Sequence, residues 1–231
     1  MARIKNELTG RASGKVGQQI YRITNGKTTL CALPASFNVS QSEKSLEVRA
    51  RFSLGLKLAH GMCEIPHLKY FWKNTSVSAG DSKRTPFNKM MKANYPYVLK
   101  DGLDAILPIV PGLGFIAEKS SVTLANDEIT AAINAIGTLQ EIDPAVETSF
   151  QLLSLVFCTS PTDERWAPYK FIYCASEPIA LNLATPLSLS ITLAGQKTTL
   201  FNMYSTHKAY FTLITLNADG VPVHYSDTFT A

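Results

Sequence analysis

Four runs in the second half of the chain constrain its fold most: SFQLLSLVFCTS, YKFIYCAS, LSLSITLAG and KAYFTLITLNADGVPVHYSDTFT. Each alternates, or stays apolar, for five to nine residues, is rich in β-branched and aromatic residues, and is bounded by Pro, Gly, Asn or Asp. Six to eight short strands in about 110 residues predict a β-sandwich of immunoglobulin or fibronectin type over residues 118–231. The stretch NADG at 217–220 marks its last hairpin. One immunoglobulin hallmark is missing, because Cys158, Trp166 and Cys174 are too close in sequence for an intersheet cystine flanking a core tryptophan. A hairpin centred near Trp166 would set the two cysteines opposite each other. The segment NDEITAAINAIG reads two ways, as a helix or as a strand with Ile129, Ala131, Ile133 and Ala135 on one face.

Upstream, the spacing changes to that of helices. Ser40 with Glu43 three residues on predicts a capping box, and no proline follows until Pro66. The segment LEVRARFSLGLKL also alternates with period two, but the rows Leu46, Ala50, Leu54, Leu58, Met62 and Val48, Phe52, Leu56 form one broad apolar face, and the length of the pattern favours a helix. Glu47 and Arg51 stand at a favourable i, i+4 spacing. Gly55 in mid-helix predicts close packing or a bend. HLKYFWKNT continues as a short amphipathic piece, and a second helix is expected from Pro86, with Pro96 splitting it and Gly102 beyond its end. Residues 104–117 form a Pro- and Gly-rich apolar connection that needs something to pack against.

The beginning of the chain reads as strand, turn, strand. KVGQQIYRI and KTTLCALP flank Asn25-Gly26, a pair suited to a type I′ turn. The glycines at 10, 14, 17 and 26 match neither G-x-x-x-x-G-K-[ST] nor G-x-G-x-x-G, so this stretch is no phosphate cradle. The expected fold is therefore α+β: a basic β-hairpin arm at 1–38, a helical region at 39–103, the connection at 104–117 and the sandwich at 118–231.

Charge divides the chain. Residues 1–100 hold 17 Lys and Arg against 5 Asp and Glu, net +12, whereas residues 101–231 hold 5 against 13, net −8. Such asymmetry points to a polyanionic partner for the basic half, or to head-to-tail packing of unlike halves between copies. With only 17% charged residues and 45% hydrophobic ones, the composition suits surfaces buried in an assembly better than a highly charged monomer. MARIKNELTGRASGKVG lacks the apolar stretch of a secretory signal, so cytoplasmic synthesis is expected. AILPIVPGLGFIA is too short and too broken to span a bilayer. Cys31, Cys63, Cys158 and Cys174 have no metal-ligand spacing and are expected to be thiols.

Few residues stand in a catalytic or metal-binding pattern. His60, Glu64 and His67 are ligand-type residues, but the histidines are two turns apart and Pro66 breaks the register, so no metal and no other cofactor is expected. His207 and His224 could face each other across the terminal hairpin. No nucleophile elbow, triad order or spaced carboxylate pair occurs, and no small-molecule substrate is evident. The cations Arg3, Lys5, Arg11, Lys15, Arg22 and Lys27 accompany Tyr21, a combination able to hold phosphate and stack a base, although no RNP, KH or helix-turn-helix pattern supports it.

The order SGKVGQQIYRITNGK, then RARF, then TPFNKMMKAN, then a closing D-G hairpin resembles an uncharacterised family of Bacteroidetes proteins, a domain of unknown function. The likeness rests on Ser13 to Gly17, Asn25 to Lys27, Pro34, Arg49 to Phe52, Phe87 and Asn88. Leu30-Cys31 stands where the family usually has arginine. The resemblance implies the same order of hairpin, helix and β-rich tail, and no activity. The function expected from the residues is that of a non-enzymatic structural protein assembling with copies of itself or other subunits, as in a phage-derived, tube-like or virion component. Its basic contact face would be Arg3, Lys15, Arg22, Lys27, Arg49 and Arg51, with Asp163, Glu164 and Glu177 as the acidic partners. The alternative is a nucleic-acid-binding accessory protein using the same basic half, and a third class is an enzyme or metal binder around His60.

Overall fold

A computed structural model describes residues 3–4, 12–16, 19–24, 27–32, 39–75, 84–125, 128–137 and 141–231. The chain divides into two compact units, Met1–Leu46 and Glu47–Ala231.

The first unit is a sheet of four antiparallel strands in sequence order: β1 (Arg3–Ile4), β2 (Ala12–Val16), β3 (Gln19–Thr24) and β4 (Lys27–Ala32). Thr24 pairs with Lys27, which leaves two residues for the connection, as a tight hairpin requires; Asn25 and Gly26 themselves lie outside the described residues. The run read as one strand, KVGQQIYRI, is two, because Val16 pairs with Gln19 and the chain reverses between them. The arm is thus a meander and not a lone hairpin.

Helix α1 (Glu43–Glu64) contains the division between the units, which falls between Leu46 and Glu47. Its cap is Ser42, whose Oγ accepts from Ser45 N at 3.4 Å and whose carbonyl accepts from Leu46 N at 3.0 Å. Ser40 instead receives the N–H of Ser42 at 3.3 Å, so the capping role falls two residues later than the Ser40/Glu43 spacing predicts.

In the second unit, α2 (Pro66–Asn74) and α3 (Pro86–Asn94) each start on proline, whose missing N–H costs nothing in a first turn. Pro66 therefore opens a helix as well as closing one. Thr85 caps α3 by accepting from Asn88 N at 3.4 Å, and a 3-10 turn at Tyr95–Tyr97, with Pro96 inside it, ends the second helix well before Gly102. Gly55 brings α1 against α3: a Cβ there would lie 3.0 Å from Met91 Cε, the close packing that the sequence predicts.

The strands that follow are β5 (Lys119–Leu124), β6 (Glu128–Ile133), β7 (Glu147–Pro161), β8 (Tyr169–Ala175), β9 (Ile179–Ala180) and β10 (Leu187–Thr192). After α4 (Gln196–Asn202) come β11 (Tyr204–Asn217), β12 (Pro222–Tyr225) and β13 (Phe229–Thr230). The ambiguous NDEITAAINAIG is thus a strand, β6. Six strands form one sheet, in which β12-β11-β7-β8 are successive neighbours, β13 pairs with β11 and β9 with β7; the other three form a sheet ordered β10-β6-β5.

Period-two alternation on β7 and β11 decides how the layers stack. Phe150, Leu152, Val156 and Cys158 on β7, with Ala209, Phe211 and Leu213 on β11, face a core shared with Ile129, Ala131 and Ile133 of β6 and Leu187, Leu189 and Ile191 of β10. Leu153, Leu155 and Phe157, with Tyr210, Ile214 and Leu216, face a second core filled by Leu54, Leu58 and Met62 of α1, Leu68, Phe71 and Trp72 of α2, and Met90 of α3. Helices, six-stranded sheet and three-stranded sheet form three layers, so β7 is buried on both faces and reads as nearly continuous apolar sequence. The protein is α+β.

The apolar connection is stitched into the helical layer. Trp72 Nε1 donates to Ile109 O at 3.0 Å, Ile109 N to Thr228 Oγ1 at 2.9 Å, and Gly114 N to Asp227 Oδ1 at 2.8 Å. Leu107, Ile109, Val110 and Phe115 are buried, but Ile106 and Leu113 point outward, 71% and 91% exposed. Among the described residues no helix is long and apolar enough to cross a membrane.

Candidate assembly surfaces

A sheet ends in strands whose outer N–H and C=O groups lack partners, and proteins blunt such edges with charge, proline, bulges or cover. Three of the four edges in the second unit are blunted. β12 is four residues long, begins with Pro222, and is flanked by Phe115, whose N–H donates to Tyr225 O at 3.0 Å. β8 carries the exposed Lys170 and packs against α4. β5 begins with Lys119 and has a register shift between Lys119 and Ser121.

β10 has none of these devices. Its sequence LSLSIT holds no charge and no proline, and it pairs with β6 over all six residues without a shift. Leu187, Leu189 and Ile191 point into the core while Ser188, Ser190 and Thr192 are exposed. A groove of about 300 Å3 runs beside it, lined by residues of both parities, Ser188 to Thr192, together with Ser176 and Glu177. Lining by both parities is what a strand presents when approached from its edge. Glu177 gives the groove a negative charge, and no Lys or Arg lines it.

The arm offers a matching feature. Strand β4 terminates its sheet, and Thr28, Thr29, Leu30, Cys31 and Ala32 are all exposed, Leu30 to 53%. None of the arm side chains described between Lys15 and Ala32 is buried. The unit through Leu46 carries 7 Lys and Arg against 2 Asp and Glu, net +5, and the remainder 15 against 16, net −1.

Lys15 and Arg22 are exposed on β2 and β3; Arg3 and Lys27 lie in β1 and β4, and their side chains fall outside the described set. Arg49 is exposed on α1. Arg51 serves its own fold: its Nε donates to Val98 O at 2.8 Å and its guanidinium lies 5.3 Å from the centroid of Tyr95. Asp163 is held by Arg165 within the β7–β8 turn at 2.5 Å, and that guanidinium keeps its carboxyl below the usual range. Glu164 and Glu177 are exposed. The apolar row of α1 is only half used inward, since Leu46, Val48 and Phe52 are exposed. The sequence marks LSLSITLAG as a strand but not as a sheet edge, for which its lack of charge and proline was the available signal.

The chemistry-bearing groups are separate. His60 lies against Phe87, ring centroids 4.8 Å apart, and His67 sits half-buried on the next helix; among the described residues no group of three or more His, Cys, Asp or Glu could hold a metal. His207 and His224 do not face each other. His207 pairs with Cys158 on β7 and stacks on Phe201 at 3.7 Å, whereas His224 Nδ1 meets the buried Glu147 Oε1 at 3.1 Å. Cys158 and Cys174 are free thiols and not opposite: Cys158 pairs with Lys170 and Cys174 with Ser154, because the hairpin is centred nearer Glu164 than Trp166.

No family model matches the chain, and no curated protein does. Among solved structures it is similar to OgpA from Akkermansia muciniphila, in a catalytically inactive form with an O-glycopeptide (glycodrosocin) substrate at 12% identity and TM-score 0.26, and in the wild-type form at 13% and 0.23. Each alignment covers 83% of this chain and 52% of the other, so the chain spans about half the length of the structures it matches.

Proposed function

We propose that this protein is a non-enzymatic structural subunit that assembles with copies of itself, as a phage-derived, tube-like or virion-type component does, with its two-sheet half serving as a sandwich scaffold of immunoglobulin or fibronectin kind. The observation that carries this reading is the unblunted edge of β10, whose outward backbone groups, on alternate residues of the six, lie beside a groove bearing Glu177. Such an edge is an aggregation hazard in a free monomer and an asset where a neighbour covers it. The outward Ile106 and Leu113 and the exposed Val48 and Phe52 favour the same reading. Charge complementarity favours a second copy as the neighbour, because the arm is net +5 and the groove carries Glu177.

Purified protein at low ionic strength, followed by light scattering and negative-stain imaging, is expected to form a particle much larger than one chain, and to dissociate as salt is raised. A chain that stays monomeric at high concentration overturns the reading. Growth only on addition of DNA or RNA would favour the accessory role, for which the exposed Lys15 and Arg22 near Tyr21 provide the contacts.

A further inference from the structure

We infer that the edge of β10 accepts strand β4 from the arm of a second copy, so that the three-stranded sheet of one molecule continues into the four-stranded sheet of the next. This rests on the self-assembly reading and names the segment that covers the edge. Both strands end their sheets and both are six residues long. Neither contains proline, so each can offer its full set of outer N–H donors.

The arm also needs what the edge supplies. A sheet gains stability by burying a face against another layer, and among the described side chains of the arm between Lys15 and Ala32 none is buried. Joining β10 would extend it into a seven-stranded surface continuous with a real core and would give Leu30 a neighbouring strand. The net charge of the arm is matched by Glu177 in the groove, which favours encounter of unlike ends over like ones.

Because donor and acceptor are different surfaces, the contact is heterologous. Each copy gives one strand and takes one, and the assembly grows until it closes into a ring or continues as a filament.

The exposed Cys31 on β4 is a built-in reporter. Placing a thiol on the exposed side of β10 by Ser188→Cys, Ser190→Cys or Thr192→Cys, each tested separately, should give a ladder of disulfide-linked chains under mild oxidation. Cys31→Ser should abolish it. Leu30→Cys in the Cys31→Ser background samples the other face of β4, so the set covers both registers that bring Cα atoms within about 7 Å. Ser188→Lys with Ser190→Lys, at positions already exposed, should raise the concentration for half-assembly about tenfold, ~1.4 kcal/mol, with an unchanged urea midpoint. Particles that form without any ladder overturn the strand pairing while leaving self-assembly standing. A disulfide closed within a single chain overturns it too. Absence of particles altogether removes both readings.

Discussion

Tyr173 of β8 lies over the backbone of α1 at Gly61, so close that a Cβ on that glycine would stand 1.6 Å from the ring Cζ. The phenol also donates to Lys57 O at 3.3 Å, one turn back along the helix. This contact sets how near the helical layer comes to the six-stranded sheet. Gly61→Ala is expected to destabilise the protein by about 1–3 kcal/mol, because the half-buried ring must leave its seat on the helix and give up its bond to Lys57 O. In a Tyr173→Ala background the same change should cost almost nothing, and urea unfolding of the four combinations measures the coupling. Equal costs in both backgrounds would show that the ring is not the obstacle.

Lys89 is a buried cation, 3% exposed, whose ammonium donates to Lys73 O at 3.1 Å and Thr75 O at 2.8 Å. These carbonyls close α2, where the helix dipole favours positive charge. Lys89→Met keeps the bulk and strands two acceptors, with an expected loss of about 2–4 kcal/mol in chemical denaturation. A midpoint within error of the parent would mean that water replaces the ammonium.

The thiols should separate by burial. Burial, with Cys174 as a neighbour, pushes the Cys158 thiol up to about 12, and burial raises Cys174 and Cys63 as well. At pH 8 a thiol reagent should label the exposed Cys31 first, lose that phase in Cys31→Ser, and reach Cys158 and Cys174 only after unfolding. Rapid labelling of all four in the native protein would contradict the two-core packing.

His67 makes stability depend on pH. Burial lowers its pKa from the ordinary 6.5, so as pH falls through that value the unfolded chain takes up the proton before the folded one. The contribution is complete above pH 6.5 and is lost as pH falls toward the folded pKa. The urea midpoint of the parent should therefore drop more steeply below pH 6.5 than that of His67→Gln, while the two curves run parallel above it. Parallel curves throughout would place His67 in water.

The elements written locally were legible in the sequence. Pro86 inside a helix start, Gly55 at a close approach and NADG before β12 are each dictated by backbone chemistry within a few residues. Ser40 misled because Ser42 offers the same hydroxyl nearer the first helical turn, and sequence alone does not say which serine the backbone reaches. KVGQQIYRI reads as one strand because its alternation runs without a break across the point where Val16 and Gln19 pair. Half of the apolar row of α1 faces outward because amphipathicity shows which face is apolar and not what covers it. The pairing of β7 with β11 and the end position of β10 depend on residues far apart along the chain. Arg51 shows the same limit on the charged side: its sequence context does not show that its Nε donates to Val98 O or that its guanidinium lies against Tyr95.

The long β7–β11 ladder carries a consequence for how the molecule comes into being. Glu147 has no ladder partner until Asn217 exists, and Pro161 none until Tyr204 does, yet both cores are built on this pair of strands. Contact order is high, and the entropy of closing that loop must be met before either core rewards it, so acquisition of the native state is slow for a chain of this size, in the millisecond-to-second regime of non-local β topologies. During synthesis α1, α2 and α3 emerge before the six-stranded sheet that covers them, and the burial of Leu54, Leu58 and Trp72 is complete only when the ribosome has passed β11.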